Sequence, residues 1–196
     1  MGNIEKQKRV LFVVNDLMVG GVQRMMLNQL GYLNRKVFLP SLAVLRDFRG
    51  RAYTLESEIP PDISYRQFYF RRFFDLPEFV RLVHYVRKGR FSAVVTSLFF
   101  ANALGRLAAV LAGTPVVSSE MDISYKKTRA KRLIDQFLAH FTYRIIAGSQ
   151  AIASFVSDWE HIPRKKFTVI YNSAPLAVPQ NFSRQGKRSS LGFSDA

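Results

Sequence analysis

Apolar residues along this chain fall into two alternating patterns. Short, nearly continuous apolar runs occur at Val10–Val14, Val37–Leu45, Ile63–Phe68, Ala93–Ser97, Pro115–Ser119, Arg144–Gly148 and Phe167–Tyr171, and each reads as a strand. Between them lie segments with helical spacing. Val22–Leu33 places Val22, Met25, Met26, Gln29, Leu30 and Leu33 near one face, and Leu76, Phe79, Val80, Val83 and Val86 form a second helix closed by Gly89. Residues 100–112 predict a buried, alanine-rich helix ended by Gly113. A basic helix from Lys127 to Phe141 turns Leu133, Ile134, Phe137, Leu138 and Phe141 inward, and Ala151–Trp159 is helical too. Residues 46–62 read as loops with a short helix, ended by Pro60-Pro61.

Strands that are apolar throughout must be covered on both faces. The expected fold is therefore α/β: a Rossmann-like, mostly parallel sheet with helices on both sides. After Ser173 the periodicity stops, so residues 1–173 read as one domain and 174–196 as a linker or the start of something further.

The stretch VLFVVNDLMVGGVQRMMLNQLGYLNR, residues 10–35, carries the clearest chemistry. A strand runs through a loop ending in Gly20-Gly21 and straight into a helix. The glycines let backbone N–H groups approach a ligand closely. The helix N-terminus adds unpaired donors and partial positive charge. Such a turn at the carboxyl end of a strand holds a phosphate or a sugar hydroxyl. It lacks the third glycine and the spacing of a dinucleotide fingerprint, and no Lys-Ser or Lys-Thr follows as in a Walker A loop.

Charge narrows the partners. Against 14 acidic residues stand 29 Lys and Arg, a net +15, which favours an anionic membrane surface, phosphorylated substrates or nucleic acid. Basic residues cluster in RQFYFRRFF (66–74), Arg81–Arg90 and KKTRAKR (126–132). The first interleaves cations with rings, a composition that fits a lipid interface, single-stranded nucleic acid or a solvated face. No recognised nucleic-acid module surrounds it, so nucleic acid is the weakest of these expectations. Cysteine is absent, which removes thiolate chemistry, and His84, His140 and His161 have no metal-ligand spacing. No apolar run is long enough to span a bilayer and no secretory leader is evident, so the expected location is the cytoplasm or its membrane face.

Four segments together resemble one family. The opening VLFVVNDLMVGGVQRMMLNQL is similar to that of family 4 glycosyltransferases, enzymes of the two-domain GT-B fold. VVTSLFFANALGRLAAVLAGTPVVSSE (94–120), RIIAGSQAIASFV (144–156) and IPRKKFTVIYNSAPL (162–176) resemble later segments of the same domain, in the same order. The resemblance implies an amino-terminal, acceptor-side domain of a nucleotide-sugar-dependent transferase that moves a hexose or N-acetylhexosamine to a glycan or lipid-linked acceptor. It implies no tightly bound cofactor. A nucleotide-sugar donor is expected only with a carboxyl-terminal half, which supplies the family's diphosphate-binding Arg-Lys pair and carboxylates. Without that half the expected activity is negligible. The other expectation is a non-enzymatic module that binds glycan, anionic lipid or nucleic acid.

By the same resemblance Gly20 and Gly21 lie near the donor diphosphate and sugar. Glu120 stands where a sugar-contacting histidine is common, and Gln23 replaces a frequent Glu while Arg24 is kept. Asn172 falls in the segment before the interdomain crossing. Read from the residues alone, several sites keep two roles. Asp16 either faces the cleft or bonds its own loop. Asn102 either meets the acceptor or caps a helix. Ser149 either touches ligand or caps the helix after it, and Glu120 either meets ligand or forms a salt bridge.

Overall fold

A computed structural model describes residues 7–47, 50, 53–123, 127–172 and 183–190. The boundary expected at residues 173–174 and Lys126 of the basic run lie outside them. The elements run β1 (Lys8–Val14), α1 (Gly21–Tyr32), β2 (Phe38–Val44), β3 (Ser64–Gln67), α2 (Leu76–Gly89), β4 (Ala93–Ser97), α3 (Phe99–Leu111), β5 (Val116–Glu120), α4 (Arg129–Phe141), β6 (Arg144–Ala147), α5 (Gln150–Glu160), β7 (Phe167–Val169) and α6 (Arg184–Ser190).

The seven strands form one sheet in the order β3-β2-β1-β4-β5-β6-β7, and every pairing is parallel. This is a Rossmann-like α/β domain, as the apolar runs predict. β1 is central and buried on both sides. Leu11 and Val13 face α2 and α3 with Leu82, Val86 and Leu104, while Val10, Phe12 and Val14 face α1 with Met26 and Leu30. A third cluster joins β6 to α5 through Ile145, Ala153 and Val156. Each fully buried leucine contributes ~1.5–3 kcal/mol, so these two layers dominate stability. Gly105 lets α3 press onto the sheet, because a Cβ there would stand 2.8 Å from the Thr96 methyl and 3.4 Å from Val13.

Helix rotations differ from the sequence expectation. α1 buries Gln23, Met26, Leu27 and Leu30 and leaves Gln29 exposed. α2 buries Leu82 and Val86, while Leu76 and Val80 face outward. Its left-handed C-cap is Arg90, at φ 47°, and not Gly89; Gly89 is required because a Cβ would overlap the Phe91 ring. α4 buries Asp135, Leu138 and Ala139 and exposes Leu133, Phe137 and Phe141. Its rotation is set by Asp135, which turns inward to pair with Arg106 of α3.

Within the basic-aromatic run Phe68 and Phe70 are core residues, whereas Phe74 is 89% exposed beside exposed Arg71 and Arg72. Beyond the seven strands, Ser183 accepts a bond from the Gly186 N–H at 3.0 Å and opens α6. α6 has no apolar stripe, which is why periodicity misses it. Among the described residues no helix is long and apolar enough to cross a membrane.

Candidate functional site

Neighbouring strands β1 and β4 send their chains in opposite directions across the sheet, which opens a crevice beyond their carboxyl ends. The strand tips are level there: Val14 pairs with Ser97, and Ser97 with Ser119, so Glu120 projects one residue further. A groove of about 310 Å³ lies at this point, bordered by Asn15, Val22, Leu98, Phe99, Glu120 and Lys127.

The first wall is the turn from β1 into α1. Gly20 is the N-cap and no side chain caps the helix. A Cβ on Gly20 would lie 2.5 Å from Gln23 Oε1, whereas one on Gly21 would meet nothing within 4 Å. Nothing within this domain's packing demands Gly21, and its open side leaves the first-turn N–H groups of α1 accessible. Asp16 bonds locally, accepting from the Met18 N–H at 3.2 Å and from Gln23 Nε2 at 3.3 Å. Arg24 turns away to a two-pronged pair with Glu58 at 2.7 and 3.0 Å.

The second wall is the start of α3. Asn15 Oδ1 accepts from the Ala101 N–H at 2.7 Å and so ties the β1 loop to this helix. Leu98, its N-cap, has φ 72° and ψ 149°. A branched residue held there stores strain of ~1–3 kcal/mol, in the position where ligand crevices commonly concentrate it.

The floor is a buried charge network. Asn102 does not cap its helix; its Nδ2 donates to Glu120 Oε1 at 2.9 Å and to the Ser119 carbonyl at 3.2 Å. Lys127 Nζ donates to Glu160 at 2.7 Å, Asp135 at 3.0 Å and Glu120 at 3.4 Å. Asp135 also pairs with Arg106, which is buried in α3 and donates Nε to the Asn102 carbonyl at 2.6 Å. Three carboxyl groups thus share two cations. Among the described residues no His/Asp/Glu group is arranged as metal ligands. The point where the three carboxylates converge is filled by the Lys127 ammonium.

Electrostatics follow from burial and this count. Burial pushes Glu160 up from 4.5 to about 7, against the pull of Lys127. Burial likewise raises Glu120, with Lys127 and Arg106 opposing and Asp135 reinforcing. Burial alone would lower Lys127, but the carboxylates of Glu120, Asp135 and Glu160 outweigh it and hold the ammonium more firmly protonated. Glu120 can therefore accept a hydroxyl hydrogen bond or take up a proton while its carboxyl stays fixed by Asn102 and Lys127.

The remaining expected residues lie along the next strand tips. Ser149 caps α5, accepting from the Ile152 N–H at 3.1 Å. Asn172 is exposed, with its amide packed toward Gly148. The structure thus joins Glu120 to Asn102 and sets them across from Gly21, but Arg24 and Ser149 have partners of their own. Lys127, Arg106, Asp135, Glu160 and Asn15 are components of this candidate site that sequence reasoning missed. The available signal was a lone Arg in an alanine-rich helix and a lone Asp on an apolar face, both of which require a buried partner.

Similarity to known proteins agrees with this fold. HepE from Anabaena, solved with UDP and glucose, is 21% identical, with a TM-score of 0.72 over 95% of this chain and 50% of its own. A glycosyltransferase from Rickettsia africae is 14% identical, with a TM-score of 0.67 over 97% of this chain and 51% of its own. UDP-N-acetylglucosamine 2-epimerase from Rickettsia bellii is 12% identical, with a TM-score of 0.57 over 85% of this chain and 45% of its own. These likenesses establish the fold, one Rossmann-like half of the GT-B architecture, and the chain spans about half the length of these proteins. No curated protein matches it significantly in sequence. The description Glycosyltransferase Family 4 matches residues 19–177, most of the chain, and the protein belongs to that family.

Proposed function

We propose that this domain is the amino-terminal, acceptor-side half of a nucleotide-sugar-dependent glycosyltransferase. The described sheet and its helices form one wall of the cleft, and in this reading residues 174–196 are the interdomain linker or the start of the donor-binding domain. The observation that carries this reading is the Asn102–Glu120 pair, fixed at the tip of β5 across the crevice from the uncapped α1 N-terminus. Membership of the family and the half-length match to HepE, solved with UDP and glucose, support it.

In this reading Glu120 accepts a hydrogen bond from a hydroxyl of the transferred hexose or N-acetylhexosamine. Asn102 and Lys127 fix its carboxyl, and the N–H groups after Gly20 and Gly21 face the donor diphosphate. A helix N-terminus contributes ~0.3–1 kcal/mol toward an exposed anion. Enzymes lower barriers by about 8–23 kcal/mol. The larger share of leaving-group stabilisation therefore belongs to a second, donor-binding domain, which also closes the cleft against water. The acceptor is a glycan or a lipid-linked sugar seated between Leu98, Phe99 and Asp122.

The test is turnover of a panel of UDP-sugars with glycan acceptors. The domain alone should show none above background. Joined to a donor-binding family 4 domain it should transfer, and Glu120→Gln should lower that rate about 10²-fold, the scale set by loss of one preorganised polar group. Enzyme-like turnover by the isolated domain would overturn the proposal.

A further inference from the structure

A second groove, of about 360 Å³, lies at the same carboxyl edge of the sheet as the crevice, beyond β2 and β3. Arg46, which follows β2, and Phe70 and Arg71, which follow β3, border it with Asp47 and Tyr69. Among the described residues Arg46 and Arg71 take part in no ion pair, whereas Asp47 has an interaction of its own. The backbone at both arginines is fixed. The Arg46 N–H donates to the Asn15 carbonyl at 2.7 Å, and the Arg46 carbonyl accepts from Gln67 Nε2 at 3.0 Å. The Arg71 N–H donates to the Asp75 carboxylate at 3.1 Å, in the turn that opens α2. Only side-chain freedom is left to lose when an anion binds here.

Groove and crevice are built as one unit. Asn15 borders the crevice; its carbonyl accepts from Arg46 and its side chain from the Ala101 N–H. A ridge of rings fills the space between. Phe99, at the crevice, stacks on Phe73 at 6.2 Å between ring centres. Phe73 meets Phe100 edge-on at 5.7 Å, and Phe100 meets Phe70, at the groove, edge-on at 5.8 Å. Cations sit on both ends of this ridge. The Lys131 ammonium lies 4.9 Å from the centre of the Phe99 ring, and the Arg46 guanidinium 5.6 Å from that of Phe100. β5, β4, β1 and β2 are successive strands, so three spacings of about 4.8 Å put Arg46 roughly 14 Å from the tip that bears Glu120.

We infer that this groove is a phosphate subsite for the acceptor, in which Arg46 and Arg71 take a phosphate ester that the acceptor glycan carries beyond the sugar ring entering the crevice. The inference rests on the acceptor-side reading proposed above. In that reading the donor diphosphate faces the α1 N-terminus, so an anion site on the β2–β3 side belongs to the other substrate. Guanidinium groups present planar forks of N–H donors that match phosphate oxygens and stay charged at every working pH. Two of them, rooted on different strands and lacking carboxylate partners, give the groove a preference for an anionic over a neutral acceptor. The spacing from Glu120 separates the phosphate from the reacting hydroxyl, so charge is read at one place and chemistry is done at another.

Shift mapping of amide and arginine Nε–H signals of the labelled chain tests it, with glucose 6-phosphate, its methyl phosphodiester, glucuronate and glucose as probes. Glucose 6-phosphate should move the Arg46 and Arg71 side-chain signals and the Phe70 and Phe100 amides, and should bind more tightly than glucuronate and glucose. Arg46→Gln and Arg71→Gln should each weaken it about ten-fold, the low end for a hydrogen bond to a charged group. Both side chains are exposed, so the circular-dichroism melt should not change. Arg144→Gln with Lys165→Gln, beside the amino ends of β6 and β7, should alter binding less than about two-fold, since distant charge is screened beyond a Debye length. Response to the monoester alone marks a free sugar phosphate as the source, and equal response to the diester marks a phosphate within a longer linkage; either supports the subsite. Equal binding of glucuronate, equal loss from the distant pair, or silence at both arginines would overturn it. UDP-glucose separates this from the reading beneath it. Shifts at Gly21 and Glu120 with both arginines silent toward the sugar phosphate defeat the subsite alone. Arginine shifts with the crevice silent toward UDP-glucose defeat the transferase reading, and with it the assignment of this anion site to an acceptor.

Discussion

Asn102 donates its side-chain amide to the Glu120 carboxylate at 2.9 Å and thereby locks the first turn of α3 to the tip of β5. Both residues are buried beneath the crevice, where the Ser119 carbonyl also accepts from Asn102 and Lys127 also donates to Glu120. Asn102→Asp replaces the donor with a like charge. It should destabilise the fold by about 1–3 kcal/mol, the range for a buried polar group left unsatisfied, read as a lower urea midpoint.

Lys127 is the centre of a larger dependence. Lys127→Met leaves Glu120, Asp135 and Glu160 with only Arg106 to oppose them. Breaking a buried pair from one side costs about 3–5 kcal/mol. The loss should be largest at pH 8 and shrink toward pH 5, where protonation removes the uncompensated charges. Equilibrium unfolding at the two pH values checks both the size and the direction.

Glu160 gives the wild-type protein its own pH signature. Burial raises its carboxyl from 4.5 to about 7. Between those values the folded state binds more protons than the unfolded state, so stability falls as pH rises through this window. The contribution is fully present below 4.5 and lost above about 7. Glu160→Gln should flatten the slope between pH 5 and 7, measured by urea unfolding across the range.

Two glycines should separate packing from ligand access. Gly89→Ala drives a methyl into the Phe91 ring and should cost about 1–3 kcal/mol. Gly21→Ala meets nothing within 4 Å and should leave thermal stability unchanged or raise it by about 0.4–1 kcal/mol. The same methyl should weaken binding of a UDP-sugar at the α1 N-terminus. Differential scanning calorimetry with a binding titration distinguishes the two effects.

The parallel sheet and its strand positions were legible because doubly buried parallel strands are apolar throughout, as in VLFVV and AVVTS. Gly20-Gly21 was legible because it directly joins a strand to a helix. Helix rotation was harder to read. LIDQFLAHF offers two apolar faces, and the choice between them rests on Asp135 meeting Arg106, a partner 29 residues away. Lys127 sits in a run of cations that reads as solvated, and only the fold brings Glu120, Asp135 and Glu160 around it. In the ring-and-cation run at 66–74 the sequence does not separate core rings from surface ones: Phe68 and Phe70 turn inward, while Phe74 and the arginines stay outside.

The central claim is that the strand-tip crevice is one wall of a sugar-handling cleft. Amide chemical-shift mapping of the labelled domain during titration with UDP-glucose tests it most directly. A lone wall predicts weak, millimolar-range binding, with shifts confined to Gly21, Val22, Leu98, Asn102, Glu120 and Met121. Shifts clustered elsewhere with this crevice silent, or none at all at millimolar donor, would contradict it.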